Sequence, residues 1–293
     1  MVADMNIVVC IKQIEQVYAR SGMDPERHFL TPMDRIVRIN PYDEAALEAA
    51  LRIKERVTEA SIILLTLGTL IAEKELRRCM ALGADALYHI DTALPLDSYA
   101  KSKQLASVAG QLKADLVLCG KESMDRQNGQ IGAFMAAHLN RPFVSAIVDV
   151  EYVAGENRVE ATRNCGRGVR EKVSCPMPAV LSVDMGLYTY RVPSHADLEK
   201  ASTVPIQSVV GPVEPIDPMV SMLKTMPPRS RPKRTPAPDS SLPAIQRIQQ
   251  LLTGSKIEKK GEVLKGDPEV LVEGIMGFLV EHGFVDTGGP EKR

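Results

Sequence analysis

The chain has 293 residues, of which 44% are hydrophobic and 25% charged, and its 36 Lys and Arg residues nearly balance its 37 Asp and Glu residues. This composition is typical of a globular protein that can build a core without disulfides, and it excludes disorder throughout. A net charge of −1 and the absence of Trp argue against nucleic-acid binding, because they provide neither a general positive field nor many aromatic platforms for bases.

The first two thirds of the sequence alternate short apolar runs with longer segments of helical period. Four of the runs are almost continuously hydrophobic, as strands covered on both faces usually are. They are Asn6–Ile11, Ser61–Leu67, Ala86–Ile90 and Asp115–Cys119. The alternation predicts an α/β fold with a largely parallel sheet.

The helices between these runs are indicated by apolar residues at helical spacing. The first helix is predicted to begin at Pro41, because proline fits a first turn that needs no N–H. Asn40 is a favourable cap for it, and Asp43 suits the positive end of the helix dipole. The spacing is shown by Ala46, Leu47, Ala50 and Leu51, by Leu76, Cys79 and Met80, and by Leu105, Val108, Ala109 and Leu112.

After Pro142 the pattern changes to runs that predict hairpins closing onto the sheet. These runs are Phe143–Val153, Arg158–Thr162, Val169–Ser174 and Ala179–Asp184. The five cysteines of the chain include no C-x-x-C pair, which is typical of a reducing compartment. Cys165 and Cys175 flank one predicted hairpin, and the sequence leaves open whether they approach each other.

From Gly211 onward the composition shifts, since Pro212 to Pro243 contain nine of the chain's 20 prolines. This predicts an α/β domain over residues 1–210 and an extended, proline-rich arm over residues 211–293. Two short helices are expected in the arm, one through Ile245, Ile248, Leu251 and Leu252 and one from Asp267 to Gly283. Because two such helices cannot bury their apolar faces alone, they either dock back on the chain or bind a partner, and we expect them to dock on a partner subunit.

The segment Gly120–Gly132 carries the clearest chemical signal, since it leaves a predicted strand and enters a helix. Its glycines let a ligand approach the backbone, and a helix N-terminus favours a phosphate. The end of the first run, with Cys10 and Lys12, is expected at the same edge of the sheet, where open α/β folds bind ligands. The segment fits either an anion site or an ordinary strand-to-helix connection, and it has neither a G-x-x-x-x-G-K-[ST] nor a G-x-G-x-x-G pattern.

Other catalytic or metal-binding patterns are not found in the sequence. The five histidines form no H-x-x-x-H spacing, and no cluster of Cys or carboxylate residues is typical of zinc, so a metal site is not predicted. No G-x-S-x-G elbow is present, so hydrolase catalysis has no support either.

Taken together in chain order, five segments resemble the β subunit of electron transfer flavoproteins. They are Val8–Gln13, Ile39–Glu55, Ala81–Ala86, Leu116–Gly132 and Pro178–Asp184. The resemblance implies an adenine-nucleotide-hydrolase-like, Rossmann-like domain in a heterodimer with an α subunit. It also implies AMP, or a second FAD, in this subunit, and a redox FAD that is shared with the α subunit and lies mainly there.

Carried over by position, the resemblance implies cofactor-binding roles for twelve residues. Cys10 would line an adenine pocket, the residues at the start of the first helix would contact the nucleotide, and the residues of the glycine-bearing loop would hold the phosphate. The set is Cys10, Asn40, Pro41, Tyr42, Asp43, Thr66, Asp125, Asn128, Gly129, Gln130, Ile131 and Gly132.

The segment from Asp184 to Pro205 takes the place of the loop by which this family recognises partner dehydrogenases. His195 stands where an anchoring leucine is expected, Leu198 is a candidate substitute, and the lysine run that usually follows is missing. The implied partners are a flavin dehydrogenase, such as an acyl-CoA dehydrogenase, and a membrane-associated quinone reductase. The chain would then be an electron-carrier subunit rather than an enzyme alone, either in a simple carrier or in an NADH-dependent bifurcating complex.

Two other classes share the expected fold. One is a universal-stress-type regulatory homodimer that binds an adenine nucleotide, and it remains the alternative. The other is an adenylating enzyme, whose nearest motif here, Ser21–Asp24, is out of register. No run reaches the roughly 18–20 apolar residues of a membrane span, and the start lacks a signal peptide pattern, so we expect a cytoplasmic protein.

Overall fold

The computed structural model describes most of the α/β region and two helices near the C-terminus. The described residues are 5–17, 35–57, 59–92, 96–186, 191–209, 219–220, 223–224, 240–253, 265–282 and 284–285, without the side chains of 250–253. Contacts divide the chain into two compact units, residues 1–227 and 228–293, and each is described separately.

Within the described residues the chain forms eleven strands and seven helices. The strands are β1 (Met5–Cys10), β2 (Gln13–Val17), β3 (Arg35–Ile39), β4 (Ala60–Leu67), β5 (Ala86–Ile90), β6 (Leu116–Gly120), β7 (Phe143–Val153), β8 (Arg158–Gly166), β9 (Val169–Pro176), β10 (Ala179–Val183) and β11 (Ile206–Val209). The helices are α1 (Pro41–Arg56), α2 (Glu73–Ala81), α3 (Ser98–Gln111), α4 (Ile131–Leu139), α5 (His195–Thr203), α6 (Ala244–Thr253) and α7 (Pro268–Glu281).

Nine of these strands form one sheet in the order β11-β5-β4-β1-β6-β10-β7-β8-β9. The seven strands from β11 to β7 are parallel, and β8 and β9 extend the sheet as antiparallel neighbours. Strands β2 and β3 form a separate antiparallel ribbon. The predicted α/β, Rossmann-like architecture with a largely parallel sheet is therefore confirmed.

Helices cover both faces of the sheet and create a core on each side. Ile7 and Val9 of β1 pack into the core that contains residues of α1 and α2. Val8 and Cys10, which point to the opposite face, pack with residues of α3 and α4. This alternation is the period of two that a strand imposes, and it explains why β1 is apolar at every position after Asn6.

The four apolar runs predicted as strands are confirmed as β1, β4, β5 and β6, each within one residue at either end. The runs after Pro142 are also strands, but only β7, β8 and β9 are joined as hairpins. The run at Ala179–Val183 lies instead between β6 and β7 and is parallel to both. All five of its residues are buried, as an interior parallel strand requires.

The hairpin of β8 and β9 settles the relation between the two cysteines that flank it. Cys175 is paired with Val159, whereas Cys165 lies six residues further along β8, near Asn164 and its partner Arg170. Six residues of a strand span about 20 Å, which is far beyond the reach of a disulfide. The two cysteines therefore do not approach each other.

The second unit contains α6 and α7, so both helices predicted in the arm are present. Asp267 caps α7 by accepting a hydrogen bond from the N–H of Glu269, and Pro268 occupies the first turn. The predicted stop at Gly283 and the domain boundary at residues 210 and 211 lie outside the described residues, as do most of the prolines. None of the described helices is both long and apolar enough to cross a membrane.

Candidate functional site

A cleft opens at the carboxyl ends of β1, β4 and β6, where the sheet changes its direction of growth. The chain builds β1, β4 and β5 towards one edge and then returns to place β6 on the other side of β1. Ligands of open α/β sheets bind at such switch points, because the loops after neighbouring strands diverge there. The cleft holds about 830 Å³ of empty space, including solvent at its mouth.

One part of the cleft is apolar. Its side chains come from the ends of the three strands and from the helices behind them, namely Cys10, Ile11, Leu65, Leu67, Leu105, Cys119 and Ile131. The Sγ atom of Cys10 lies 3.8 Å from the Sδ atom of Met135. Burial raises the pKa of Cys10 and of Cys119 well above the ordinary value of a thiol, so both stay neutral and act as apolar surface.

Asn40 stands at the N-cap position of α1, but its side chain does not cap the helix. Its Nδ2 atom donates to the carbonyl oxygen of Glu122 at 2.9 Å, and its Oδ1 atom accepts from the N–H of Met124 at 3.2 Å. The expected capping role is therefore wrong, since both polar atoms of the amide bind the loop that follows β6. Asn40 thereby fixes this loop at the side of the cleft.

Asp43 joins the ends of two strands to the first turn of α1. Its two carboxylate oxygens accept hydrogen bonds from the N–H of Lys12 at 2.8 Å and from the N–H of Gly120 at 2.9 Å. Burial raises the pKa of Asp43 to about 7, although these hydrogen bonds lower it. The approach requires a glycine on β6, because a Cβ atom at Gly120 would lie 2.7 Å from the Cβ atom of Tyr42.

Four cationic side chains line the cleft, and two of them are paired with carboxylates. Lys12 Nζ lies 2.6 Å from Asp125 Oδ1, and Lys121 Nζ lies 3.2 Å from Asp184 Oδ2. Lys101 and Arg126 also line the cleft, and neither forms an ion pair with a carboxylate among the described residues.

The cations of the cleft act on one another. Burial lowers the pKa of Lys101, and the charges of Arg126 and Lys12 lower it further, whereas the carboxylates of Asp125 and Asp97 partly oppose this change. An anion between these side chains would relieve this repulsion. The cleft is therefore electrostatically suited to a phosphate.

The loop between β6 and α4 has a backbone conformation that allows a ligand to approach its N–H groups closely. Gly129 has a φ of +63°, in the left-handed region that favours glycine. Asn128 donates a hydrogen bond from Nδ2 to the Oγ atom of Ser98 at 3.2 Å, which joins the loop to the start of α3. Ile131, the first residue of α4, lines the cleft, so the positive end of this helix opens onto it.

The twelve residues implied by the resemblance gather around this cleft, but not all of them line it. Those that line it are Cys10, Asn40, Asp43, Asn128, Gly129, Gln130 and Ile131. The other five, Pro41, Tyr42, Thr66, Asp125 and Gly132, are not among the lining residues.

Tyr42, Thr66, Asp125 and Gly132 each contact residues beside the cleft. The hydroxyl of Tyr42 donates to Glu122, and Thr66 is fully buried next to Gln13. Asp125 holds Lys12, and although burial opposes the change, the hydrogen bonds from Lys12 and Ser123 lower its pKa. Gly132 leaves room for the ring of Phe143, which would be 2.8 Å from a Cβ atom there.

Sequence reasoning missed two polar residues that line the cleft, namely Ser98 and Lys101, whereas Arg126 belongs to the glycine-bearing segment that it singled out. Ser98 and Lys101 lie in the first turn of α3, which follows β5 and is capped by Asp97. The sequence did contain a signal for Lys101. A lysine in the first turn of a helix is disfavoured by the helix dipole, so its presence there indicates a role other than helix stability.

Contacts with α1 and α2 hold the described residues 191–205 of the segment that is expected to recognise partners. Arg191 Nε lies 2.7 Å from Glu48 Oε2 on α1, and Arg77 of α2 donates to the carbonyl oxygens of Ala201, Ser202 and Val204 at the end of α5. Nearby, His195 is exposed and lies 3.6 Å from Glu199.

Apolar side chains on this segment are also accessible. Leu198 is 37% exposed and Val192 is 91% exposed. Val192 and Leu198, each three residues from His195 in the chain, are therefore accessible apolar side chains of this segment.

A family model described as "Electron transfer flavoprotein domain" matches residues 35–212 of this chain. The chain is also similar to curated proteins named electron transfer flavoprotein subunit beta. The protein of Methylophilus methylotrophus is 29% identical over 213 residues, which cover 70% of this chain and 79% of that protein. The protein of Thermoanaerobacterium thermosaccharolyticum is 32% identical over 192 residues, which cover 65% of this chain and 72% of that protein.

A further relative bears a different name. Protein FixA of Azotobacter vinelandii is 31% identical over 207 residues, which cover 68% of this chain and 72% of that protein.

Proposed function

Because this chain belongs to the electron transfer flavoprotein β-subunit family, we propose that it is the β subunit of a heterodimeric electron carrier that binds AMP in the cleft and helps an α subunit to hold the redox FAD. The observation that carries the nucleotide part is the meeting of Lys101, Arg126 and the Gly129 loop at the ends of β1, β4 and β6.

The cleft offers a suitable surface for each part of AMP. A phosphate is a dianion near neutral pH, and Lys101 and Arg126 provide two positive charges that form no ion pair with a described carboxylate. The backbone near Gly129 and the N-terminus of α4 add neutral donors. The apolar side chains, with the neutral thiols of Cys10 and Cys119, suit the face of an adenine ring.

A second FAD is the alternative occupant of the cleft. Its adenosine part would use the same apolar surface, and its pyrophosphate would also carry two negative charges, so charge alone does not choose between the two ligands. FAD supplies, when bound, the electron-transfer chemistry that amino-acid side chains lack. A β subunit with AMP fits a simple carrier, whereas one with FAD fits a bifurcating complex that takes electrons from NADH.

Partner recognition is proposed for the segment around α5. Arg191 and Arg77 fix this segment on α1 and α2, so its exposed side chains are presented in a defined place. We expect His195, Leu198 and Val192 to contact a flavin dehydrogenase such as an acyl-CoA dehydrogenase, or a membrane-associated quinone reductase.

The test is to purify the chain with the subunit that accompanies it, release the nucleotides with acid, and count AMP and FAD per complex by chromatography. One AMP and one FAD per heterodimer is the expected result. Two FAD without AMP would assign the cleft to FAD and the complex to the bifurcating type. A homodimer that holds only AMP or ATP would contradict the carrier role and favour a universal-stress-type regulator.

A further inference from the structure

Asp97 is bonded to two parts of the chain that are far apart in sequence. Its Oδ1 atom accepts a hydrogen bond from the N–H of Ala100 at 2.8 Å, which caps α3. Its Oδ2 atom accepts from the N–H groups of Met219 at 2.7 Å and Val220 at 3.0 Å. Met219 and Val220 belong to the arm predicted from residue 211 onward, so one carboxylate holds both the start of α3 and the base of the arm.

Hydrogen bonding, rather than packing, holds the base of the arm at this point. The side chains of Met219 and Val220 are 72% and 70% exposed and therefore bury little apolar surface. Hydrogen bonds to an ionised carboxylate are roughly twice as strong as those between neutral groups. The Oδ2 atom of Asp97 therefore contributes strongly to the position of the base of the arm.

The same carboxylate lies next to the cleft. Ser98, the residue after Asp97, lines the cleft and accepts a hydrogen bond from Asn128 of the glycine-bearing loop. Lys101, in the same first turn of α3, also lines the cleft. The first turn of α3 is therefore shared between the cleft and the base of the arm.

We propose that Asp97 is a positioning residue that fixes the base of the arm to the rim of the cleft, so that nucleotide binding and the placement of the arm are coupled. The coupling rests on the proposed function, because it requires a phosphate that contacts Ser98 and Lys101. A ligand that holds the first turn of α3 in place also holds the carboxylate that caps it. By linkage, a fixed arm base raises the affinity for the nucleotide by the same factor.

The substitution Asp97→Ser separates the two roles of this residue. Serine is a good N-cap, so its single oxygen still accepts from Ala100, but no second oxygen remains for Met219 and Val220. Asp267→Ser makes the same chemical change at the cap of α7 and serves as the matched control. Asp97→Ala removes both roles, so its difference from Asp97→Ser shows what loss of the cap does to α3.

The experiment is hydrogen exchange followed by mass spectrometry on the full chain as purified, with and without added AMP. In Asp97→Ser we expect exchange in the peptide that covers residues 219 and 220 to rise at least tenfold, with little change at the start of α3. AMP should slow exchange at residues 219 and 220 in the original chain and in Asp267→Ser, but not in Asp97→Ser. The loss of AMP affinity in Asp97→Ser should not exceed the factor by which AMP slows that exchange.

Three results separate the parts of the proposal. Unchanged exchange at residues 219 and 220 in Asp97→Ser would overturn the anchoring role. AMP that binds by calorimetry, yet leaves these residues unaffected in the original chain, would overturn the coupling. If AMP does not bind at all, the nucleotide function fails, while the comparison of Asp97→Ser with the original chain still decides the anchoring role.

Discussion

The charge of Lys101 is unexplained in the sequence and is explained by its position in the folded chain. In sequence this residue is a lysine among the first residues of a helix, where the dipole favours acidic side chains. In the structure it shares the cleft with Arg126 and Lys12, whose charges, together with burial, lower its pKa. Such an arrangement is unfavourable without an anion, which makes Lys101 the residue through which phosphate binding should depend on pH.

We predict that the affinity for AMP falls as the pH rises through the lowered pKa of Lys101, earlier than an ordinary lysine would allow. Only protonated Lys101 attracts the phosphate, which is itself a dianion above about pH 7 and adds no further change. Lys101→Gln should weaken binding at neutral pH by about 1.5–3 kcal/mol, the value of a charged hydrogen bond, and should flatten the profile. Calorimetric titrations with AMP between about pH 7 and pH 10 measure both effects.

Lys101→Arg is the matched control for this prediction. Arginine remains charged throughout the range, so its affinity for AMP should stay nearly constant with pH. If Lys101→Arg loses affinity at the same pH as the original chain, another group is responsible for the titration.

Asn40 and Asp43 show where prediction at the level of single residues ends. Their types were correctly read as belonging to a helix start, because Asn and Asp are common there. Their side chains nevertheless bind the ends of β1 and β6 and the loop after β6. Local sequence does not reveal this, since the partners are about 30 and 80 residues away and meet only through the sheet.

At the scale of elements, the parallel strands could be predicted because burial on both faces leaves a continuous apolar run. The ribbon of β2 and β3 was not predicted, since Gln13–Val17 and Arg35–Ile39 mix polar and apolar residues over only five positions each. The short edge strand β11 was missed for a similar reason. The order of the strands also depends on tertiary packing, so the central position of β10 came from the structure.

The register of β8 and β9 leads to a prediction about cysteine accessibility. Of the five cysteines, only Cys165 is exposed, whereas the other four are buried and have pKa values raised mainly by burial. Iodoacetamide should therefore modify Cys165 rapidly in the folded protein and leave the others unmodified. Peptide mass spectrometry should show one modified cysteine before unfolding in urea and five afterwards.

Cys165→Ser provides the control for this labelling, because it should remove the rapid modification and leave the fold intact. Cys175 is the informative site, since it faces the core opposite Val159. Rapid modification of Cys175 in the folded chain, or a mass showing a bond between Cys165 and Cys175, would contradict the observed register.

At the scale of the whole molecule, the arm differs from the α/β unit in how its apolar residues are used. In the α/β unit such residues fill two cores, one on each face of the sheet. In α7 no residue is buried, and Val272, Ile275 and Phe278 are all more than half exposed. Exposed apolar residues in this number commonly mark a binding surface, which agrees with the predicted docking on a partner subunit.

We predict that deletion of residues 241–293 weakens binding to the α subunit at least tenfold, or about 1.4 kcal/mol, while the α/β unit remains folded. The physical reason is that α6 and α7 lie outside the unit that holds the sheet, whereas their exposed apolar side chains are available to a partner. Binding to the purified α subunit can be measured by calorimetry, and thermal unfolding reports on the sheet.

Point variants of α7 test whether weaker binding comes from loss of an apolar docking surface or only from the shorter chain. Ile275→Asp combined with Phe278→Asp should weaken binding to the α subunit as the deletion does, because both changes place charges on the exposed apolar surface of the helix. Glu269→Gln, in the first turn of the same helix, keeps that surface and should leave the affinity nearly unchanged. If the deletion, the double variant and Glu269→Gln all bind the α subunit as tightly as the original chain does, the arm does not contribute to the heterodimer. The interface would then belong to the α/β unit.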